Sequence, residues 1–228
     1  MTTEAVLTEL ESLGTEQTRK IYRRHGAGEN LYGVSYANFG KLQKRIKVDH
    51  DLALGLWASG NYDARVLATM VADPARIDGT LMEAWVKDLE NYSLSDAIVG
   101  LFGKTKHARA KAEKWIGSKN EWTGRTGWLL LASLARNDKE LPDDYFERYL
   151  DAIERDIHTS KNRVRDAMNS TVIAIGARNP KLEKRAIAAA KRIGKVEVDH
   201  GETGCKTPDA AEYILKMKAH REKRSSQR

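Results

Sequence analysis

The sequence predicts an all-α fold of antiparallel helix pairs stacked in series, and three observations predict it. Apolar residues recur at helical spacing through most of the chain, and no segment sustains the alternation of a strand. Helix formers such as Ala, Leu, Lys, Glu and Arg abound, with only four prolines among 228 residues. One pattern also repeats: an asparagine follows one helix and opens the next. Asn61, Asn91, Asn120 and Asn162 stand 30, 29 and 42 residues apart, and periods of roughly 20–50 residues mark repeat arrays. A helix pair of this kind cannot bury its apolar side alone. Neighbours therefore stack, which makes a HEAT-like repeat solenoid with a concave surface. The second helix of each pair begins at the Asn loop. Its free N–H groups and partial positive charge suit phosphates, so the concave face is expected to be a basic groove.

The elements follow in order. Val6, Leu7, Leu10 and Leu13 form a helical stripe over Thr3 to Leu13, closed by Gly14. Thr15 caps a helix to Arg24, and His25-Gly26-Ala27-Gly28 breaks it. Ser35, after Tyr32-Gly33-Val34, caps a helix to Ile46. Four pairs come next: Asp49–Trp57 with Ala64–Val71, Leu81–Leu89 with Leu94–Phe102, His107–Ile116 with Thr126–Leu134, and Asp143–Ile157 with Arg163–Ile175. Asp73-Pro74 and Asn179-Pro180 are breaks, because proline disfavours helix in the residue before it. Leu182–Ile193 is the last long helix of a domain expected to span 1–194. Residues 195–219 read as an ordered, glycine-containing loop and a helix Asp209–Lys218 packed on the solenoid, and 220–228 as a basic frayed tail.

Charge is unevenly spread. From Ser160 to Arg228 there are 17 basic residues against 8 acidic, while the rest of the chain has 22 against 24. A basic part on a near-neutral body points to a polyanion partner, or to a solvated surface with a basic tail. The single Cys205 excludes an internal disulfide and fits a reducing cytoplasm. Met1–Leu13 does not read as a signal peptide, and no run of about 18 apolar residues predicts a membrane span. There is no phosphate-loop or dinucleotide glycine motif. Asp199, His200, Glu202 and Cys205 lie close together but lack four N or S ligands at paired spacing, so the stretch reads as a structural loop. No metal and no cofactor is expected.

Trp57, Trp85 and Trp115 occupy apolar helical positions and read as core. Trp122 and Tyr92 instead sit where polar loops open helices, three and four residues before Arg125 and Asp96. Such aromatics either staple one helix pair to the next or offer a ring face to a base or cation. Asp96 and Arg125 have two readings as well. One is a helix-start carboxylate and its ion-pair partner. The other places both in one groove, with the carboxylate stabilising positive charge on a deoxyribose and the guanidinium holding a phosphate.

These features together resemble the AlkD-type family of DNA alkylation repair proteins, over about Leu10 to Ile193. Trp122-Thr123-Gly124-Arg125 is similar to the family's aromatic three residues before an arginine. Tyr92-Ser93-Leu94-Ser95-Asp96 is similar to its aromatic four residues before the catalytic aspartate, and Tyr22 within Arg19–Arg24 to its tyrosine on a basic helix. The resemblance implies a monofunctional glycosylase that releases cationic N3- and N7-alkylated purines from double-stranded DNA, with the base left in the duplex. Asp96 would stabilise the oxocarbenium-like sugar. Tyr22, Tyr92, Trp122 and Arg125 would contact substrate; apart from the resemblance, Arg125, Lys161, Arg163 and Arg165, clustered at two helix openings, are the candidate DNA contacts. The protein would act as a cytoplasmic monomer. Two departures stand out: Tyr92 replaces the tryptophan of active relatives, and Met168-Asn169-Ser170 lacks the second one. A DNA-binding repeat protein without catalysis, recognising damaged or branched duplex, is therefore the alternative reading. A protein-binding HEAT scaffold is a further one.

Overall fold

The structure, a computed structural model, describes residues 1–225. Among these residues there are thirteen α-helices and no strand: α1 (Thr3–Leu13), α2 (Glu16–Arg24), α3 (Tyr36–Ile46), α4 (His50–Ala58), α5 (Tyr62–Val71), α6 (Gly79–Lys87), α7 (Tyr92–Phe102), α8 (Ala108–Trp115), α9 (Glu121–Asn137), α10 (Asp143–Asp156), α11 (Asn162–Gly176), α12 (Pro180–Ile193) and α13 (Ala210–Ser225). None is long and apolar enough to cross a membrane. The chain separates into two compact units. The first is Met1–Ala108 with Gly201–Thr203; the second is Arg109–His200 with the chain from Gly204 onward. The stretch 1–194, expected as one domain, is thus divided after Ala108.

In the first unit, short polar side chains start the helices as expected. Thr15, Ser35, Asn61 and Asn91 each accept a hydrogen bond from a backbone N–H three residues on. α5 is the hub, packing against α1, α3, α4 and α7. Its Val66, Leu67, Ala68 and Val71 are buried together with Val6 and Leu10 of α1 and Leu56 of α4. Close contact between α1 and α4 requires Gly55, because a Cβ there would lie 2.3 Å from the Thr3 hydroxyl. Trp57 stacks on Trp85 with centroids 4.2 Å apart and donates from Nε1 to Asp88 at 2.8 Å, which confirms both as core.

One buried acid organises the link between α2 and α3. Asp63 is fully buried, and its carboxylate accepts from the backbone N–H groups of Tyr32 (2.6 Å), Gly33 (3.0 Å) and Val34 (2.7 Å). Gly33 has φ +82°, and a Cβ there would meet the Thr15 carbonyl at 2.6 Å, so only glycine fits the turn.

In the second unit, α9 and α11 form the central pair, and α12 packs on both α10 and α11. Gly127 lets α9 approach the end of α8, where a Cβ would lie 2.6 Å from the Ile116 nitrogen. Glu154 of α10 is clamped by Arg185 at 2.7 Å and Arg192 at 2.6 Å, both from α12. α13 packs on α11 and α12, with buried Ile214 set against Gly176.

One expectation is corrected here. α13 continues to Ser225 instead of ending at Lys218, since residues 219–225 hold no glycine or proline to stop it; the remainder of the expected frayed tail, 226–228, lies outside the described residues. The fourth asparagine of the pattern, Asn162, also opens its helix but does not cap it. α11 is preceded by Lys161 with no side-chain cap, and Asn162 is already helical. Asn162 exchanges two hydrogen bonds with the backbone of Asp199, at 2.8 and 2.7 Å, so its amide is taken by a loop 37 residues on.

Candidate nucleic-acid interface

Three of the expected site residues, Tyr22, Tyr92 and Asp96, belong to the first unit. On α7 the Asn91 carboxamide caps the helix by accepting from the Leu94 nitrogen at 2.9 Å. That sets Leu94, Ile98, Leu101 and Phe102 into the core and leaves Asp96, with Gly100 one turn later, on the exposed side. Asp96 lines a cleft of about 390 Å³ together with Tyr36 and Gln43 of α3, Gly100, and exposed Lys104 beyond α7.

The two tyrosines that accompany Asp96 in sequence are engaged inside the unit. The Tyr92 hydroxyl is hydrogen-bonded to Nδ1 of His25, and the rings meet edge-on with centroids 5.7 Å apart. Tyr22 is only 9 % exposed, donates to the Val34 carbonyl at 2.6 Å and leans on Tyr62 with centroids 5.1 Å apart. Burial, with the negative character of Tyr36 and Asp63 nearby, pushes its phenol well above the usual range. Expected as a substrate contact, Tyr22 sits instead in the wall that holds α2, α3 and α5 together, because it falls on the buried side of α2.

The aromatic that does face solvent beside Asp96 is Tyr36, the first residue of α3 and 57 % exposed. Its phenol is held above its ordinary pKa by burial of part of the group and by the Asp96 and Asp63 carboxylates, so the hydroxyl stays a donor. Sequence reasoning passed over Tyr36. The signal available was its position directly after the Ser35 cap, the same kind of helix opening that drew attention to Tyr92.

The remaining candidates belong to the second unit. Arg125 is 3 % exposed; its Nη1 donates to Asp166 of α11 at 2.8 Å and to the Arg163 carbonyl at 3.5 Å. The expectation that Arg125 lies open to a phosphate meets a guanidinium enclosed between α9 and α11. Its ion-pair partner is Asp166, 41 residues on. Trp122 is half-buried at the start of α9. Glu121, on the same turn, accepts from the Arg163 nitrogen at 2.6 Å.

Lys161 is exposed and lines a cleft of about 490 Å³ with Lys119 and Ser160 at the opening of α11, where Lys161 itself makes no side-chain cap. Arg163 and Arg165 are half-buried, and Arg163 reaches the His200 Nδ1 at 3.4 Å. Where the second tryptophan is missing, Asn169 is buried and donates to the Pro208 carbonyl at 3.0 Å. The loop before α13 is thus fastened to α11 at two places, Asn162 and Asn169. The Glu121 carboxylate already occupies the Arg163 N–H of this helix start, so what the cluster offers to an anion is the exposed Lys119 and Lys161 side chains.

An all-helical HEAT-like repeat protein with these two surfaces has clear relatives. The model of the DNA alkylation repair enzyme family matches residues 6–214, and the chain belongs to that family. It is 34% identical over 217 residues to an uncharacterized protein of Listeria innocua and 33% identical to one of Listeria monocytogenes, in each case over 92% of this chain and 95% of the relative. It is also similar to a solved structure described as a new family of proteins related to the HEAT-like repeat DNA glycosylases with affinity for branched DNA structures. The TM-score is 0.89 and the identity 31%, over 96% of this chain and 95% of that one.

Proposed function

We propose that this protein binds DNA and recognises branched or distorted duplex, with base excision secondary or absent. The observation that carries this is the likeness, along nearly the whole chain, to proteins with affinity for branched DNA. The local chemistry agrees. A glycosylase site of the kind resembled needs ring faces around the sugar and an arginine open to phosphate. Here Tyr92 is tied to His25, Arg125 is enclosed by Asp166, and α11 presents buried Met168 and Asn169 in place of an aromatic. What remains open to a polyanion is the Lys119–Lys161 surface at the start of α11 and the Tyr36–Asp96–Lys104 cleft.

Release of N3- or N7-alkylated purines is the second reading, favoured by the family and by Asp96 facing an open cleft. In that chemistry the carboxylate stabilises the oxocarbenium-like sugar as the bond to a cationic base breaks, and the departing base needs no strong acid.

Anisotropy titration of a four-way junction and a linear duplex of equal length, at several salt concentrations, tests the first reading. The expected result is binding about tenfold tighter to the junction, weakening steeply with salt in both cases. Equal affinity for the two substrates overturns it. Abasic sites formed in methylated duplex by the parent and not by Asp96→Asn would establish the second reading in its place.

A further inference from the structure

We infer that Tyr36 is a nucleotide-contacting residue, whose exposed ring stacks on a base at the branch point while Lys104 meets the adjacent phosphate. The inference rests on the reading that the protein binds branched DNA. At a branch, bases at the discontinuity lose a stacking neighbour, and an exposed aromatic is the group that replaces one.

Geometry supports Tyr36 for this part. Ser35 caps α3 by accepting from the Asn38 nitrogen at 3.3 Å, which fixes where the helix starts and where Tyr36 stands. The fully buried ring of Phe39 meets Tyr36 edge-on at 5.7 Å and 78°, so the tyrosine is anchored while 57 % of it stays exposed. Among the first unit's aromatics at this end of the molecule, Tyr22 and Tyr62 are buried and Tyr92 is bonded to His25. A cleft of about 390 Å³ opens beside Tyr36 and lies in the range of small-ligand sites. Asp96, Gly100 and Lys104 line it from the α7 side.

Two glycines agree with close approach of a strand. Gly40 follows Tyr36 by one turn and Gly100 follows Asp96 by one turn, both inside helices. A Cβ at either would meet nothing within 4 Å, and neither has positive φ. Crowding and backbone strain therefore do not account for them, although glycine weakens a helix at such positions. Bare backbone one turn from the aromatic and one turn from the carboxylate gives a ligand room to settle against both helices.

The test compares junction and linear duplex binding by the parent, Tyr36→Ala, Tyr36→Phe and Gly100→Leu, each checked by thermal melting. A 2-aminopurine placed at the branch point reports stacking. Tyr36→Ala is expected to weaken junction binding about tenfold, a stacked base's worth, to leave linear duplex nearly unchanged, and to lose the quenching of 2-aminopurine. Tyr36→Phe keeps a ring and is expected to restore both. Gly100→Leu is expected to melt at a higher temperature than the parent yet bind junctions more weakly, because its side chain fills the cleft. A parent preference for junctions that survives Tyr36→Ala and Gly100→Leu overturns this inference and leaves the DNA-binding reading standing. A parent with no such preference removes both.

Discussion

The openings of α7 and α9 use the same local chemistry and reach opposite ends. Each begins with an asparagine whose side chain accepts from the N–H three residues on, at 2.9 Å for Asn91 and 3.0 Å for Asn120. Each has an aromatic soon after and an ionisable group five residues past the cap. Asp96 faces solvent; Arg125 is almost fully buried. The difference lies in what covers the helix. α9 packs along α11, which brings Asp166 to 2.8 Å from the Arg125 Nη1 and the Arg163 carbonyl to 3.5 Å. The exposed side of α7 borders an open cleft. A cap sets the register of a helix, while exposure of a given position is decided by its neighbours.

The largest expected effects come from polar groups that neighbours enclose. Asp63→Ala removes the acceptor of three backbone N–H groups at a site without water access, and each orphaned donor is costly. A loss of about 4 kcal/mol in urea unfolding is expected; a loss under about 1 kcal/mol would show that the α2–α3 link rearranges freely. Arg125→Ala follows. It leaves Asp166 partly buried without its partner, and breaking such a pair costs about 3 kcal/mol, reduced toward 2 because Asp166 keeps some exposure. If DNA binding fell in Arg125→Ala while stability held, Arg125 would be a phosphate contact after all.

Acid sensitivity separates the two units further. Glu154 is held down to about 2 from an ordinary 4.5, first by its hydrogen bond to Arg192 and then by Arg185, against the opposing effect of burial. A carboxylate depressed in the folded state contributes stability above its unfolded pKa and loses it as pH falls through the folded value. Roughly 2 kcal/mol, after allowance for the solvent-exposed arginine, should disappear between pH 4.5 and 2. Asp63 has the opposite sign. Burial raises it despite three backbone hydrogen bonds, so the stability it contributes is greatest below its ordinary pKa and falls as pH rises. The second unit should therefore loosen first in acid, followed by hydrogen exchange in α10 and α12. In Glu154→Gln that slope should flatten; an unchanged slope would place acid lability elsewhere.

Local features were legible in the sequence and remote ones were not. Thr15 and Ser35 read correctly as caps, and Asn61, Asn91 and Asn120 as residues that open helices, because capping joins residues three apart. Trp57 and Trp85 read correctly as core from helical spacing. Asn162 opens its helix too, but its amide is held by Asp199 from a loop 37 residues on, which one helix's pattern does not report. The covering of Arg125 by Asp166 has the same cause. Tyr36 was missed for the converse reason: exposure of an aromatic means that no neighbour covers it, and the pattern of one helix does not report an absent neighbour.

The smallest effect on stability is expected at Asp96, in the proposed DNA-binding cleft. Asp96→Asn removes a charge from the exposed second turn of α7, past the reach of the dipole at the first turn. Surface changes of this kind usually stay within about 0.5 kcal/mol. The change is isosteric, so the cleft keeps its shape and Tyr36 its place. The sign of the change in binding then separates loss of charge from loss of a hydrogen-bond acceptor. A carboxylate beside DNA repels phosphates, so the amide should bind junctions equally well or more tightly, by about twofold to fivefold at low salt, with the gain shrinking as salt rises. Weaker binding by Asp96→Asn would mean that the carboxylate accepts hydrogen bonds from an exposed base. Asp96 would then be a recognition group for the branch, on the same cleft as Tyr36, and its counterpart position Arg125 would remain a piece of packing.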